Sequence, residues 1–227
     1  MRTLLTTLII AVISSFAVAQ TAIGFRGGYG SSNIRTDKEL DAIADQFDNS
    51  SALSFGVFAD IFFGNIISFR PGVELNRRGT TLAITENPEI FGINIPLGAR
   101  AKTRFTYIDV PLLFQATLPT EGMIKPYAFA GGSLGYATSG NIRTTATAII
   151  EFNLMTSEID LDAINFDRFH AAAIGGLGVK ATLAPGFNAF IEGRFEQSLT
   201  QPYDLPVVAA KTGFKGVNFG AGVAISL

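Results

Sequence analysis

Val217-Asn218-Phe219-Gly220-Ala221-Gly222-Val223-Ala224-Ile225-Ser226-Leu227 closes the chain, and its reading decides the fold. Val217, Phe219, Ala221, Val223, Ile225 and Leu227 are apolar, and every residue between them is small or polar. Successive strand side chains point to opposite faces, so the pattern predicts a strand with one apolar wall and one narrow, polar wall. The expectation is that lipid covers the apolar wall.

Seven further segments of period two precede it. The first, about Ala22 to Ile34, sets Ile23, Phe25 and Tyr29 against Gly24, Arg26, Gly28 and Gly30. The second sets Leu53, Phe55, Val57, Ala59, Ile61 and Phe63 against Ser54, Gly56, Phe58, Asp60 and Phe62. The third sets Ile67, Phe69, Pro71, Val73 and Leu75 against Ser68, Arg70, Gly72, Glu74 and Asn76. In the fourth, Ile108, Val110, Leu112, Phe114, Ala116 and Leu118 oppose Tyr107, Asp109, Pro111, Gln115 and Thr117. The fifth, near Tyr127 to Thr138, directs Ala128, Ala130, Leu134 and Tyr136 outward. The sixth alternates Phe169, Ala171, Ala173, Leu177 and Val179 with His170, Gly176, Gly178, Lys180 and Thr182. The seventh opposes Ala189, Ile191, Phe195 and Leu199 to Asn188, Glu192, Arg194, Glu196 and Ser198.

The connections alternate strictly in length. Gly64-Asn65, Leu118 to Ile124 and Ala184-Pro185-Gly186 are short and carry turn residues. About Arg35 to Ser51, Gly79 to Thr103, Ser139 to Asp167 and Gln201 to Gly213 are long and polar. Short turns at one end and long loops at the other are the habit of outer-membrane barrels, and an even strand number puts both termini on the periplasmic side.

The N-terminus fits export. Arg2 precedes an apolar run from Leu4 to Val18, and Ala17-Val18-Ala19 supplies a small-residue cleavage site before Gln20. Residues 1–19 are therefore expected to be a cleaved signal peptide and residues 20–227 one barrel domain. The chain is 48% hydrophobic, with 24 Gly, 20 Phe and no Cys, so an exported domain must be held by something other than disulfides. The formal charge is −2, with no basic excess, which excludes nucleic acid as an expected partner.

The faces decide the solvent. A soluble barrel would need its polar wall outside, rich in Lys, Glu and Asp. This wall is mostly Gly, Ala, Ser, Asn and Thr, as expected where side chains crowd into a narrow eight-strand lumen. It also carries Arg26, Asp60, Arg70, Glu74, Asp109, Lys180, Glu192, Arg194 and Glu196, a candidate lumen charge network of both signs. An Arg or Lys turned to the bilayer midplane would cost about 2–4 kcal/mol. Several such groups facing outward would exceed an ordinary domain's whole stability of ~5–15 kcal/mol. The expected fold is all-β, an eight-stranded antiparallel transmembrane barrel of up-and-down meander topology with its polar wall inside. Pro71 and Pro111 lack a backbone donor and are expected at bulges or unbonded positions near a rim.

Several segments resemble the PorT-like outer-membrane β-barrel proteins of Bacteroidota. Tyr107-Ile108-Asp109-Val110-Pro111-Leu112-Leu113 is similar to their "YLEIPLL" segment. Pro126-Tyr127 opening a strand with Gly131-Gly132 and Leu134-Gly135-Tyr136 agrees, as does Gly176-Leu177-Gly178-Val179-Lys180. Glu192-Gly193-Arg194-Phe195 with Ser198-Leu199-Thr200 resembles their "ARYxxGLT" strand, with Gly193 for the usual Ala and Ser198 for the usual Gly. The resemblance implies the barrel fold and, for the namesake branch, a part in type IX secretion and gliding.

Candidate chemistry is sparse. His170 is the one histidine; a lipid hydrolase would pair it with a nucleophile, but Ala172 holds the neighbouring place on that face. Glu192, Arg194 and Glu196 read as a neutralised ion network rather than an acid–base pair. Thr36-Asp37-Lys38-Glu39 is a capping-box pattern, followed by Leu40, Ile43, Ala44 and Phe47 at helical spacing, which predicts a short helix over the mouth. Asp37, Asp41, Asp45 and Asp48 lack calcium-loop spacing and read as a solvated face. Glu158, Asp160 and Asp162 alternate with Ile159 and Leu161, which predicts a hairpin above the membrane with one acidic side. The expectation is a non-enzymatic envelope protein without cofactor or metal. Outer-membrane lipid is one expected partner, and an envelope protein at the outer loops or periplasmic turns is the other. Small-ligand or lipid binding at the mouth is the alternative.

Overall fold

The computed structural model describes residues 21–35, 47–86, 89–90, 93–94, 97–148, 150–163, 166–200, 203–204 and 211–227. The expected signal peptide lies outside them, as do positions 36–46 of the expected mouth helix. Phe47 and Asp48 belong instead to a strand, in register with Leu82 and Thr81.

Among the described residues twelve strands follow in chain order: β1 Thr21–Arg35, β2 Phe47–Phe63, β3 Ile67–Glu86, β4 Glu89–Ile90, β5 Ile93–Asn94, β6 Leu97–Thr117, β7 Ile124–Ala148, β8 Ile150–Ile159, β9 Phe169–Ala184, β10 Phe187–Ser198, β11 Tyr203–Asp204 and β12 Lys211–Ser226. Eight of them form the wall in the order β1-β2-β3-β6-β7-β9-β10-β12, and β12 pairs back onto β1. The closing seam runs antiparallel from Ala22↔Ser226 to Arg35↔Gly213. Closure satisfies the strand edges that an open sheet would leave in hydrocarbon. Gly64 and Gly186, at φ +78° and +74°, make two of the tight turns because a left-handed backbone suits glycine best.

The outward wall follows the alternation. Phe25, Val57, Val73, Val110, Phe114, Leu177, Ile191 and Phe219 are all exposed, and so are Leu134 and Tyr136 of β7. Ile61, expected outward, is buried at 6%, in register between Thr21 and Phe69. Pro71 and Pro111, expected near a rim, lie in mid-strand; the ladder from β3 to its neighbours is interrupted around them without a change of register.

Several strands are longer than the alternation predicts, chiefly at the loop end. β3 runs on to Glu86 and β6 starts at Leu97, so Gly79 to Thr103 is largely a strand pair rather than a connection. β7 and β8 form the hairpin expected above the membrane, pairing Gly140↔Ile159 through Ala148↔Ile150. In water both faces of a strand can be polar, so the period-two signal fades there while the pairing continues.

Candidate functional site

Inside, the lumen is filled in three layers. Near the periplasmic turns, Ala22, Phe58, Leu113, Tyr127, Phe129, Ile174, Phe190 and Ala224 form an apolar cluster. At the opposite end Phe105, Tyr107, Ala137, Leu161, Phe166 and Phe214 form a second. Between and beside them lie the charges.

Glu192 on β10 is the hub. Arg26 donates Nε to its Oε1 at 2.6 Å, Arg70 donates Nη1 to its Oε2 at 3.3 Å, and Arg194 donates Nη2 to Oε1 at 3.4 Å. The Tyr127 hydroxyl adds a fourth donor at 2.8 Å. Each guanidinium then reaches further. Arg26 donates to Ser54 at 2.8 Å and Asn218 at 2.7 Å. Arg70 grips Asp60 with two bonds, at 2.7 and 2.9 Å, and lies 4.3 Å over the Phe58 ring. Arg194 donates to Glu74 at 2.8 Å. Fork-shaped bonds of this kind are the strong ones, and cation–π contact supports a desolvated guanidinium.

A second group centres on Arg78. It donates Nη2 to Asp109 Oδ2 at 2.7 Å and Nε to Glu196 Oε1 at 2.8 Å, with Tyr107 under its Cζ at 4.9 Å. Asn76 also donates to Asp109. Arg78 was absent from the expected network because apolar alternation on β3 stops at Leu75. Its even spacing from Arg70, Glu74 and Asn76 is the signal that places it inside. Lys180, an expected member, makes no ion pair among the described residues and instead lies 5.3 Å over the Phe62 ring. With Arg78 included, five cations (Arg26, Arg70, Arg78, Lys180, Arg194) face five carboxylates (Asp60, Glu74, Asp109, Glu192, Glu196).

Glycine makes the room. A Cβ on Gly220 would strike the Arg26 guanidinium, one on Gly135 the Asp109 carboxylate, and one on Gly56 the Glu74 side chain. Gly176, Gly178 and Gly222 give the same clearance to Phe129, Tyr127 and Phe190. Among the described residues a void of about 40 Å³ lies beside Arg26, Arg78, Arg194 and Glu196, space for a few water molecules.

His170 is fully buried. Its Nδ1 lies 3.5 Å from Thr200 Oγ1, its Nε2 lies 3.7 Å from Glu196 Oε1, and its ring rests on Tyr107. The structure thus brings a hydroxyl and a carboxylate to the imidazole from positions that spacing along the sequence does not reveal. Thr200 Oγ1 accepts the Ala171 N–H at 3.0 Å, and Glu196 is held by Arg78. Thr200 and Glu196 are thus engaged by the wall, while His170 Nε2 is buried without a hydrogen bond.

Among solved structures, similarity is found to Neisserial surface protein A, with 12% identity, TM-score 0.45, and coverage of 90% of this chain and 97% of that one. OprG from Pseudomonas aeruginosa gives 14% identity, TM-score 0.41, and coverage of 92% and 97%. Ail of Yersinia pestis gives 14% identity, TM-score 0.40, and coverage of 89% and 99%. No curated protein matches the sequence. Residues 18–203 match the family described as outer membrane protein beta-barrel domain. With most of its length inside that match and an apolar belt around a closed barrel, the chain belongs to this family and resides in the outer membrane.

Proposed function

We propose that this protein is a non-enzymatic, non-conducting barrel that offers its extended outer strands, or its periplasmic turns, to another envelope protein. A part as accessory to a secretion complex of the PorT-like kind is the narrower form of that reading. The observation that carries it is the filled lumen. Apolar clusters near both ends enclose arginines and carboxylates that pair with one another among the described residues. Buried, densely bonded networks of this kind favour one rigid arrangement. A rigid barrel is a suitable mount for strands that rise above the membrane.

Reconstituted into planar bilayers, the protein should give no stable porin-sized conductance, and such a conductance would end this reading. Pull-down from solubilised outer membranes should recover a partner that is lost when residues 139–167 are deleted. The lipid-hydrolase reading draws on the Thr200–His170–Glu196 trio. A ring without exposed surface is a poor base for an incoming substrate. His170→Ala should therefore leave the membrane lipid profile unchanged, and an altered profile would favour the hydrolase.

A further inference from the structure

The lumen holds two cations that its ion network does not use. Lys180 on β9 shares the inward face with Ile174, Gly176 and Gly178. Lys125, the second residue of β7, shares it with the buried rings of Tyr127 and Phe129. The five lumen carboxylates all take bonds from arginines: Asp60 from Arg70, Glu74 from Arg194, Glu192 from Arg26, and Asp109 and Glu196 from Arg78. Among the described residues, neither lysine has an acid to pair with.

Register sets the two lysines against each other. Lys125 pairs directly with Lys180 across the β7–β9 ladder. Residues opposed in this way hold their Cβ atoms ~5 Å apart, and like charges so placed destabilise a sheet. Lys180 is kept inside by Phe62, whose ring centroid lies 5.3 Å from its Nζ. The floor below is apolar: Phe190 is the register partner of Lys180 on β10, and both Phe190 and Tyr127 belong to the cluster at this end. The turns around this end, residues 64–66, 118–123 and 185–186, are short, and exposed Glu121 is the one acidic side chain in them. Lys125, Lys180 and Phe62 are half-buried, so this periplasmic mouth is shallow, positive and within reach of water.

We infer that the periplasmic mouth binds an Asp- or Glu-bearing segment of a partner protein, with Lys125 and Lys180 sharing a carboxylate between them. Charge and position select that occupant. A carboxylate seated between the two ammonium groups turns a repelling pair into two ion pairs. Both lysines lie on the inner wall, so the barrel itself stands between them and the surrounding lipid. The apolar floor stops an occupant just inside the rim, which suits the tip of a chain rather than a solute in transit. The inference deepens the partner-protein reading and rests on it, since it names the chemistry that the partner brings to the periplasmic turns.

The test uses the purified full-length protein in non-ionic detergent micelles and two dye-labelled probes, hexaglutamate and hexaglutamine, with fluorescence anisotropy as the readout. Hexaglutamate should bind at least about tenfold more tightly than hexaglutamine, and Lys125→Gln/Lys180→Gln should remove that preference. Lys102→Gln/Arg104→Gln takes the same charge from the outer half of β6 and should leave binding as it is. Should the first double variant fold poorly, Lys125→Gln alone, at the rim, reads the same loss on a smaller scale. Equal binding of the two peptides, an equal loss in the two double variants, or displacement of hexaglutamate by equimolar inorganic phosphate or by phosphatidylglycerol in the micelle would overturn the inference. None of these results touches the non-conducting barrel. A porin-sized conductance would end that reading separately, with peptide binding still measurable.

Discussion

Glu192 and Glu196 lie four residues apart on the same face of β10, yet they hold the barrel differently. The Glu192 side chain has no exposed surface and takes bonds from three arginines and a tyrosine. Those donors come from β1, β3, β7 and β10 itself, so one carboxylate ties four strands across the lumen. The Glu196 side chain is 19% exposed, with Arg78 as its strong partner and His170 at 3.7 Å. Arg78 in turn keeps a two-bond grip on Asp109. The cost of losing a carboxylate is thus set by what its partners have left, more than by its own depth.

That contrast is broken most directly at Glu192. Arg70 keeps Asp60 and Arg194 keeps Glu74, but Glu192→Gln takes from Arg26 its one bonded carboxylate among the described residues, in a low-dielectric interior. Removing one member of a buried ion pair costs about 3–5 kcal/mol, and this variant should lose at least that much. Urea titration of the protein folded into lipid vesicles, followed by circular dichroism, reads the loss. A change below ~1 kcal/mol would mean that the hub is not what holds the barrel. Glu196→Gln sharpens the contrast from the other side. Arg78 keeps Asp109 and the amide still accepts a bond, so the same titration should show about 1–2 kcal/mol. Equal losses at the two sites would erase the distinction.

The two walls of these strands were not equally legible in the sequence. Lipid rewards an unbroken apolar face, so alternation alone assigns Phe25, Val110, Phe195 and Phe219 to the outside. The same alternation places Arg26, Glu74 and Glu192 inside but says nothing of who meets whom. Arg26 and Glu192 are 166 positions apart, and Arg194 and Glu74 are 120 apart. Their meeting depends on the register of every intervening strand. Above the membrane the pattern goes silent because water tolerates either face. For that reason Arg78 and Thr200 escape a reading built on period two. Ile61 fails in the opposite way: period two assigns it to the outer wall, and it is buried between Thr21 and Phe69.

The smallest effect on the barrel's own stability is expected at the outer end, where the contrast between barrel and attachment is greatest. Leu161 and Phe166 turn back from the β7–β8 hairpin into the mouth, and Phe166 stacks on Phe105 at 4.7 Å between centroids. Two backbone bonds fasten the turn, Phe166 N to Leu161 O at 3.0 Å and Ala137 N to Arg168 O at 2.8 Å. No strand of the closed ladder depends on them. Such a segment opens locally, at a free energy well below that of the whole barrel. Phe166→Ala removes the stacked ring, and a loss of about 2 kcal/mol from that local opening would speed cleavage after Arg168 about thirtyfold under limiting trypsin. The urea midpoint of the barrel should stay where it is. Cleavage at the wild-type rate would mean that Phe166 does not hold the turn down, and a midpoint that fell in step with faster cleavage would make the outer layer part of the barrel's own core.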